Sequence, residues 1–447
     1  MNLKQLIDKY AANGPRYTSY PTAVHFTEGE NKETLIDLAV NGSNALSLYV
    51  HIPFCASQCF FCACSSSVCL DISKADTYLD ALDAELKLWR SRGLAKKTLE
   101  QIHFGGGTPN FLSVSQIYRL NKIIEKYFEK SPQCEFSAEL DPRTLTEEKI
   151  GAFADIGVNR ASIGLQDTND FVQKAINRVQ PQSMNLATFD ALRNSGITHI
   201  NADLIYGLPL QTLKAFEKTL GDVLQLNPTR ISLFNYAHVP WLKNSQKALE
   251  KYEFVSADEK VECFLLAKQT FENAGFLYIG LDHFAKPQDE LVKARLEGTL
   301  QRNFQGYSTH SGIDGFGIGL TSISQTKNSY RQNRKDMQKY YADINNGVLP
   351  VERGVVLTAD DILRRKAIMS IMCLLKVSES VFEPAEVAEY KRIFDAARPK
   401  LLEMQADKLL EFDGEYSFKL LDFGRVFMRN VAMLFDGRSF ARHSKTV

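Results

Sequence analysis

The stretch YVHIPFCASQCFFCACSSSVCL, residues 49–70, decides how the rest of the chain is read. The chain has 447 residues and 8 cysteines, and five of the cysteines fall inside this window. Cys55, Cys59, Cys62 and Cys64 follow the pattern C-x3-C-x2-C-x-C, directly after an alternating apolar run, LSLYVHI, that reads as a strand. Zinc normally takes its thiolates as two pairs from separate segments, so that a tetrahedron closes with little strain. Here all four thiols lie within ten residues, with no second pair and no histidine pair nearby. An iron–sulfur cluster accepts thiolates from one tight loop. The x3 and x2 gaps let three sulfurs point inward around one cuboidal cluster. Cys64, two residues past Cys62, would strain the loop as a fourth. Three ligands leave one iron open to a small chelating molecule.

Outward from this loop the chain alternates short apolar runs with stretches of helical period. After LSLYVHI comes KADTYLDALDAELKLWRSR, with Tyr78, Leu79, Leu82, Leu86 and Trp89 on one side of a helix. LEQIHF is the next strand and ends in Gly105-Gly106-Gly107; the helix after it is predicted to start with Ser113 as N-cap. CEFSAEL follows, then Thr144 and Glu147 at capping-box spacing. RASIGLQ, HINADLIYG and RISLFNYA continue the series, and LYIGLDHFA is a candidate for one more strand. Strands alternating with helices imply right-handed βαβ units, a parallel sheet and an α/β fold. Six or seven units are enough to curl into a full or partial barrel, whose functional groups gather at the carboxyl ends of the strands. The cysteines, the glycines, Glu139, Gln166, Asp203 and Ala237 all fall at those ends.

Residues 286–357 are less regular, and TADDILRRKAIMSIMCLL opens a mostly helical C-terminal region. The expected organisation is an N-terminal arm over the active site (1–40), a barrel with an extension (41–357) and a helical domain (358–447). Lys+Arg and Asp+Glu both total 53, so no long-range field draws the chain to nucleic acid or an anionic membrane. The N-terminus lacks the apolar core of a secretory signal, and no run approaches 18 apolar residues. A cytoplasmic location is expected, where clustered cysteines read as metal-binding or catalytic. Cys134, Cys263 and Cys373, in apolar contexts, are expected to be buried inert thiols.

C-x3-C-x2-C after the first strand of a βα barrel resembles the signature of the radical S-adenosylmethionine superfamily. PRYTSYPTA, LYVHIPFC, HFGGGTP, ELDPR, GLQD, DLIYGLP, FNYAH, GLDHFAKPQDEL and RNFQGYST narrow the resemblance to the oxygen-independent coproporphyrinogen III oxidase family, over almost the whole chain. The resemblance implies a partial TIM-like (β/α)6 barrel and a 4Fe–4S cluster on Cys55, Cys59 and Cys62. It implies S-adenosylmethionine on the open iron, cleaved by one electron to methionine and a 5′-deoxyadenosyl radical. It further implies oxidative decarboxylation of two propionates of coproporphyrinogen III to vinyl groups, giving protoporphyrinogen IX in haem synthesis. The implied partners are the substrate, an electron donor such as a flavodoxin- or ferredoxin-type protein, and no membrane; a monomer is expected.

Carried over by matching stretches, Tyr49, Phe61, Gly106, Glu139, Ala237 and Ile323 would surround the cluster-bound S-adenosylmethionine. Gly107, Thr108, Gln166, Arg178 and Asp203 match the positions for a second molecule. Tyr49, Glu139 and Cys64 are the expected catalytic residues, Cys64 as a non-ligand facing the site. Arg16 and Arg302 are candidates for the substrate's propionates, since an arginine fork matches a carboxylate; a surface ion pair is the plainer alternative. Tyr17 and Tyr20 would cover a flat tetrapyrrole or anchor the N-terminal arm. His51, Asp282 and His283 read equally as site or structural residues. Cys69 and His310 lie outside the family pattern. Relatives acting as haem-binding chaperones, or as methyltransferases or cyclopropanases, are the rival readings. The C-x-C ending and the PRYTSYPT arm argue against the first, and the C-terminal resemblance against the second.

Overall fold

The computed structural model describes residues 3–10, 12–29 and 31–438. The chain forms two compact units, one of residues 27–276 with 312–355, the other of 1–26, 277–311 and 356–447. The larger unit carries six strands in chain order: β1 (Ala45–Ile52), β2 (Thr98–Gly106), β3 (Glu129–Leu140), β4 (Arg160–Gln166), β5 (His199–Tyr206) and β6 (Arg230–Asn235). Each pairs in parallel with the next, and β1 and β6 do not pair with each other, so the barrel stays partial. Four further strands, β7 (Asp314–Ile318), β8 (Ile323–Gln325), β9 (Ser329–Asn333) and β10 (Val351–Val356), extend the sheet from β1, with β7 parallel to β1 and β8 antiparallel to β7.

Period-two alternation gives each barrel strand two unlike faces. One face is aliphatic and aromatic: Leu48, Val50, Ile102, Phe104, Phe136 and Ile163 are at most 1% exposed. Such a face must be covered, and the crossover helices supply the cover. In helix Lys74–Ser91 the expected residues Tyr78, Leu79, Leu82, Leu86 and Trp89 are all fully buried. Glu85 is buried with them and accepts from Gly319 N (2.9 Å), Asn333 Nδ2 (2.7 Å) and Tyr340 Oη (2.7 Å), tying the helix to the sheet extension. Helix Val114–Tyr127 starts with the expected Ser113, in a capping box with Gln116. Helix Glu147–Asp155 starts differently: Thr146 is the cap and Lys149 N its donor. The Thr144 hydroxyl is instead held by Asn110 Nδ2 at 2.9 Å.

The other face is polar and its residues bond across strands. Ser47 Oγ donates to Gln101 Oε1 (2.7 Å), Gln101 Nε2 to Glu135 Oε1 (2.6 Å), and Glu135 lies 3.5 Å from Arg160 Nε. One step towards the carboxyl ends, Ser232 Oγ donates to Asn201 (3.1 Å) and Asn201 Nδ2 to Ser162 Oγ (2.8 Å). This face of the strands is thus built of polar side chains bonded across strands and not of aliphatic ones.

LYIGLDHFA does add strand to the sheet, as two short strands and not one. It forms two short antiparallel strands, Leu277–Gly280 and His283–Ala285, because the chain reverses at Gly280 (φ 151°) and Leu281 (φ 48°). They belong to the smaller unit, whose core collects residues from all three of its segments, among them Leu6, Ile279, Leu300, Met372 and Phe435. Helix Ala359–Leu374 opens with a capping box between Thr358 and Asp361, and a three-stranded sheet accompanies the C-terminal helices. Tyr17 and Tyr20 are buried in this unit; Tyr17 Oη donates to Asp436 (3.0 Å) and Tyr20 Oη accepts from Gly437 N (3.1 Å). Both are anchors of the N-terminal segment. Cys263 and Cys373 are buried as expected, whereas Cys134 is only half-buried.

Candidate active site

The cysteine loop leaves the carboxyl end of β1 and is held from three sides. The helix after β4 fixes it through Phe60 N on Ile176 O (3.0 Å), and Asn177 Nδ2 donates to Gln58 O (2.7 Å). The segment after β6 fixes it through Gln246 Nε2 on Phe61 O (2.9 Å) and Lys243 Nζ on Cys64 O (2.7 Å). The end of β2 closes from below, with Gly107 N on Ile52 O (2.7 Å) and Thr108 N on Phe54 O (2.9 Å). A Cβ on Gly107 would sit 2.5 Å from Phe54 O, so the glycine is what lets strand end and loop meet. Phe60 and Phe61 pack on an apolar cluster that includes Ile176, Ile205 and Tyr236.

Cys59 is buried, Cys55 and Cys62 half-buried, and Cys64 exposed. The Cys59 sulfur accepts from two guanidiniums, Arg143 Nη2 at 3.2 Å and Arg178 Nη1 at 3.5 Å. Both are clamped by Asp141, at 2.6 and 3.2 Å. The Cys62 sulfur accepts from Cys64 N at 3.4 Å. The Cys64 thiol lies beside Cys62 and within electrostatic reach of Glu139. Cys69 is buried and turned to Asp71 O (3.2 Å).

Tyr49, His51, His103 and Glu139 come together at the mouth of the barrel. His51 Nε2 lies 2.8 Å from Ser65 O, a pure acceptor, so Nε2 carries the proton and Nδ1 accepts from Tyr49 Oη at 3.0 Å. Burial holds His51 below the usual imidazole value, which keeps that neutral tautomer. Tyr49 stacks on His103, ring centroids 5.8 Å apart. His103 bridges Ser137 Oγ (2.6 Å) and Glu139 Oε1 (3.0 Å), and Gly106 N donates to Glu139 Oε2 (3.3 Å). Burial pushes the Glu139 carboxyl up, but His103 and Gly106 N outweigh it and hold the group below its ordinary value. Asp203 goes the other way. Burial raises its carboxyl from 3.8 to about 6, although Ser162 Oγ (2.8 Å) and Asn201 Nδ2 (2.7 Å) donate to it.

Gln166 and Arg178 lie over Gly164, where a Cβ would come within 2.7 and 2.9 Å of their side-chain nitrogens. Arg178 Nε is buried without a partner. Gly107 and Thr108 have their N–H groups engaged as above, and Thr108 Oγ1 donates to Asn110. Ala237 is exposed, two residues past β6, with its carbonyl accepting from Gln246 (3.3 Å). Ile323 opens β8, and its carbonyl is the atom a Cβ on Gly317 would strike, Gly317 being the register partner of Tyr49. Reading the sequence for ligand types missed His103, Asp141, Arg143, Lys243 and Gln246. His103 stands in HFGGGTP and Asp141 and Arg143 in ELDPR, so the signal was present as motif and absent as chemistry.

Comparison with known proteins gives the class first. Residues 49–223 match the radical S-adenosylmethionine superfamily. An oxygen-independent coproporphyrinogen III oxidase from Helicobacter pylori is 41% identical, covering 98% of each chain, and one from Salmonella typhimurium is 39% identical over 96% of this chain and 94% of its own. The solved structure of coproporphyrinogen III oxidase from Escherichia coli, described as a radical SAM enzyme, superposes with a TM-score of 0.89 at 38% identity, covering 94% of this chain and 97% of that one. This chain belongs to the family of oxygen-independent coproporphyrinogen III oxidases. Its cofactors are a 4Fe–4S cluster and S-adenosylmethionine. The site suits them: four thiols in one tight loop, an unpartnered buried Arg178 Nε, and the backbone of Gly105 and Gly106 set close against Glu139.

Proposed function

We propose that this chain converts coproporphyrinogen III to protoporphyrinogen IX without oxygen, turning two propionate side chains into vinyl groups. One observation carries the reading: the sulfur loop stands at the mouth of a barrel whose inner face carries polar residues bonded across strands, in a chain matched to such oxidases over 98% of its length. Cys55, Cys59 and Cys62 would hold the cluster, with Cys64 beside it as a non-ligand. When bound, the cluster and S-adenosylmethionine supply one-electron reductive cleavage and, from it, an abstractor strong enough for an unactivated C–H bond.

The chain's own residues bind, orient and exclude water. Tyr49, its hydroxyl fixed by His51, would line the cofactor together with Phe61, Gly106, Ala237 and Ile323. Glu139, kept ionised by His103 and Gly106 N, offers a carboxylate to an ammonium or to ribose hydroxyls. Gly107, Thr108, Gln166, Arg178 and Asp203 would receive a second S-adenosylmethionine, supported by the open Nε of Arg178. For the propionates we assign Arg16 and Arg302. Arg302 is 6% exposed, stacks over Tyr307 (4.9 Å) and has Nη1 without a partner, while Arg16 pairs with Asp282. A buried guanidinium without a carboxylate is costly, and a substrate carboxylate would relieve it.

The reading includes a low-potential protein donor of flavodoxin or ferredoxin type and a monomer working in the cytoplasm. Among the described residues no helix is long and apolar enough to cross a membrane. The test is anaerobic reconstitution followed by incubation with S-adenosylmethionine, reductant and coproporphyrinogen III. The product should have lost two carbon dioxide molecules and two hydrogen pairs. A methylene-sized gain, or tight haem binding without turnover, would contradict the assignment.

A further inference from the structure

The three sulfurs assigned to the cluster stand in unlike surroundings. Cys59 accepts directly from guanidiniums: Arg143 Nη2 at 3.2 Å and Arg178 Nη1 at 3.5 Å donate to its sulfur. Neither guanidinium is there by chance of rotamer. Asp141, at the carboxyl end of β3, accepts from Arg143 Nε (3.0 Å) and Nη2 (2.6 Å) and from Arg178 Nη1 (3.2 Å). Arg178 is fixed again by Gly164 O (2.7 Å), and Arg143 by Asn177 O (3.2 Å). Asp141 itself is positioned by Asn110, whose Oδ1 accepts from Asp141 N at 2.9 Å. Two guanidiniums and one carboxylate leave a local surplus of one positive charge at this sulfur. Cys62 accepts from a backbone N–H, that of Cys64, at 3.4 Å and lies beside the Cys64 thiol, while Lys243 and Arg178 act on it as nearby charges.

Hydrogen bonds to ligand sulfur, and nearby charge, set the reduction potential of an iron–sulfur cluster. Adding one electron makes the cluster more negative; no bond is made or broken, and the electron comes from the low-potential donor. A donor N–H and a positive charge at the sulfur stabilise the added charge more than the oxidised form. We propose that Arg143, with Asp141 as its clamp and Arg178 as a second donor, is a positioning and charge-tuning residue that raises the potential of the cluster through Cys59. The inference rests on Cys59 being a cluster ligand.

The experiment is an anaerobic EPR-monitored redox titration of the reconstituted full-length protein, with iron and sulfide counted first. Arg143→Gln should lower the midpoint so that, at a fixed ambient potential, the reduced-to-oxidised ratio falls about tenfold, about 59 mV for one electron. Arg143→Lys keeps the charge and loses the fork, so a smaller shift of the same sign is expected. It carries the test alone if Arg143→Gln does not hold a full complement of iron. An unchanged or raised midpoint in a fully loaded variant would overturn the proposal. Cys59→Ala separates the two layers. Full iron without Cys59 would mean that the ligand assignment has failed, whereas lost iron beside an unmoved Arg143 midpoint would mean that only the tuning has.

Discussion

The two faces of the six barrel strands differ more than any other two regions of this molecule. The outer face presents Leu48, Val50, Phe104 and Ile163, wholly buried under helices. The inner face presents Tyr49, His103, Ser137, Glu139, Ser162 and Asp203, joined across strands by hydrogen bonds or, for Tyr49, by stacking on His103. One set of strands thus separates two tasks. Apolar area removed from water holds the fold, and polar groups that would be costly unpaired in a core are bonded across strands on the face that bears the candidate site.

Substitutions on each face should therefore fail in different ways. The largest effect expected is on the outer face: Phe104→Ala leaves a cavity beside Phe136 (centroids 4.8 Å apart) and should cost about 3–5 kcal/mol in chemical denaturation. Iron bound per folded chain should stay unchanged, and a selective loss of iron would blur the division. Next comes the inner face: Glu139→Gln should lower turnover about 10²-fold through misplacement, with the denaturation midpoint nearly unmoved. A large loss of stability without loss of rate would reverse the comparison. The smallest effect concerns Asp203. Its carboxyl is raised from 3.8 to about 6, so the folded chain binds the extra proton in that window. This group's contribution to stability must then decrease as pH rises from about 4 to about 6. Denaturation midpoints across that range should show the protein losing ground relative to Asp203→Asn as pH rises; parallel curves would contradict the assignment.

The division also explains what the sequence disclosed. The βα series was legible because the outer faces impose regular apolar periodicity on β1 to β6. The cysteine spacing was legible because few chemistries use three thiols in one tight loop. β8 and β9 were not, since three-to-five-residue strands such as SYRQN carry no apolar alternation. Arg331 in β9 is buried all the same, over the rings of Trp89 (4.3 Å) and Phe316 (4.6 Å), and cation–π contact replaces the aliphatic signal. LYIGLDHFA read as one strand because its halves are apolar, and the reversal at Gly280 and Leu281 that splits it in two is not visible from pattern alone. Within the site, HFGGGTP draws the eye to its glycines, while His103 acts through contacts across β2 and β3 that appear only once the strands are in register. Arg143 is similar: 84 residues separate it from the Cys59 sulfur it donates to.

The central claim is that the four cysteines of CASQCFFCAC divide into three ligands and one non-ligand. Iron and sulfide per chain, counted after identical anaerobic reconstitution of Cys64→Ser and Cys59→Ser, test it most directly. Cys64→Ser should keep four irons per chain, as expected for an intact 4Fe–4S cluster, and lose turnover, while Cys59→Ser should lose the cluster. If iron in Cys64→Ser collapsed to the level of Cys59→Ser, Cys64 would be a ligand and the division would be wrong.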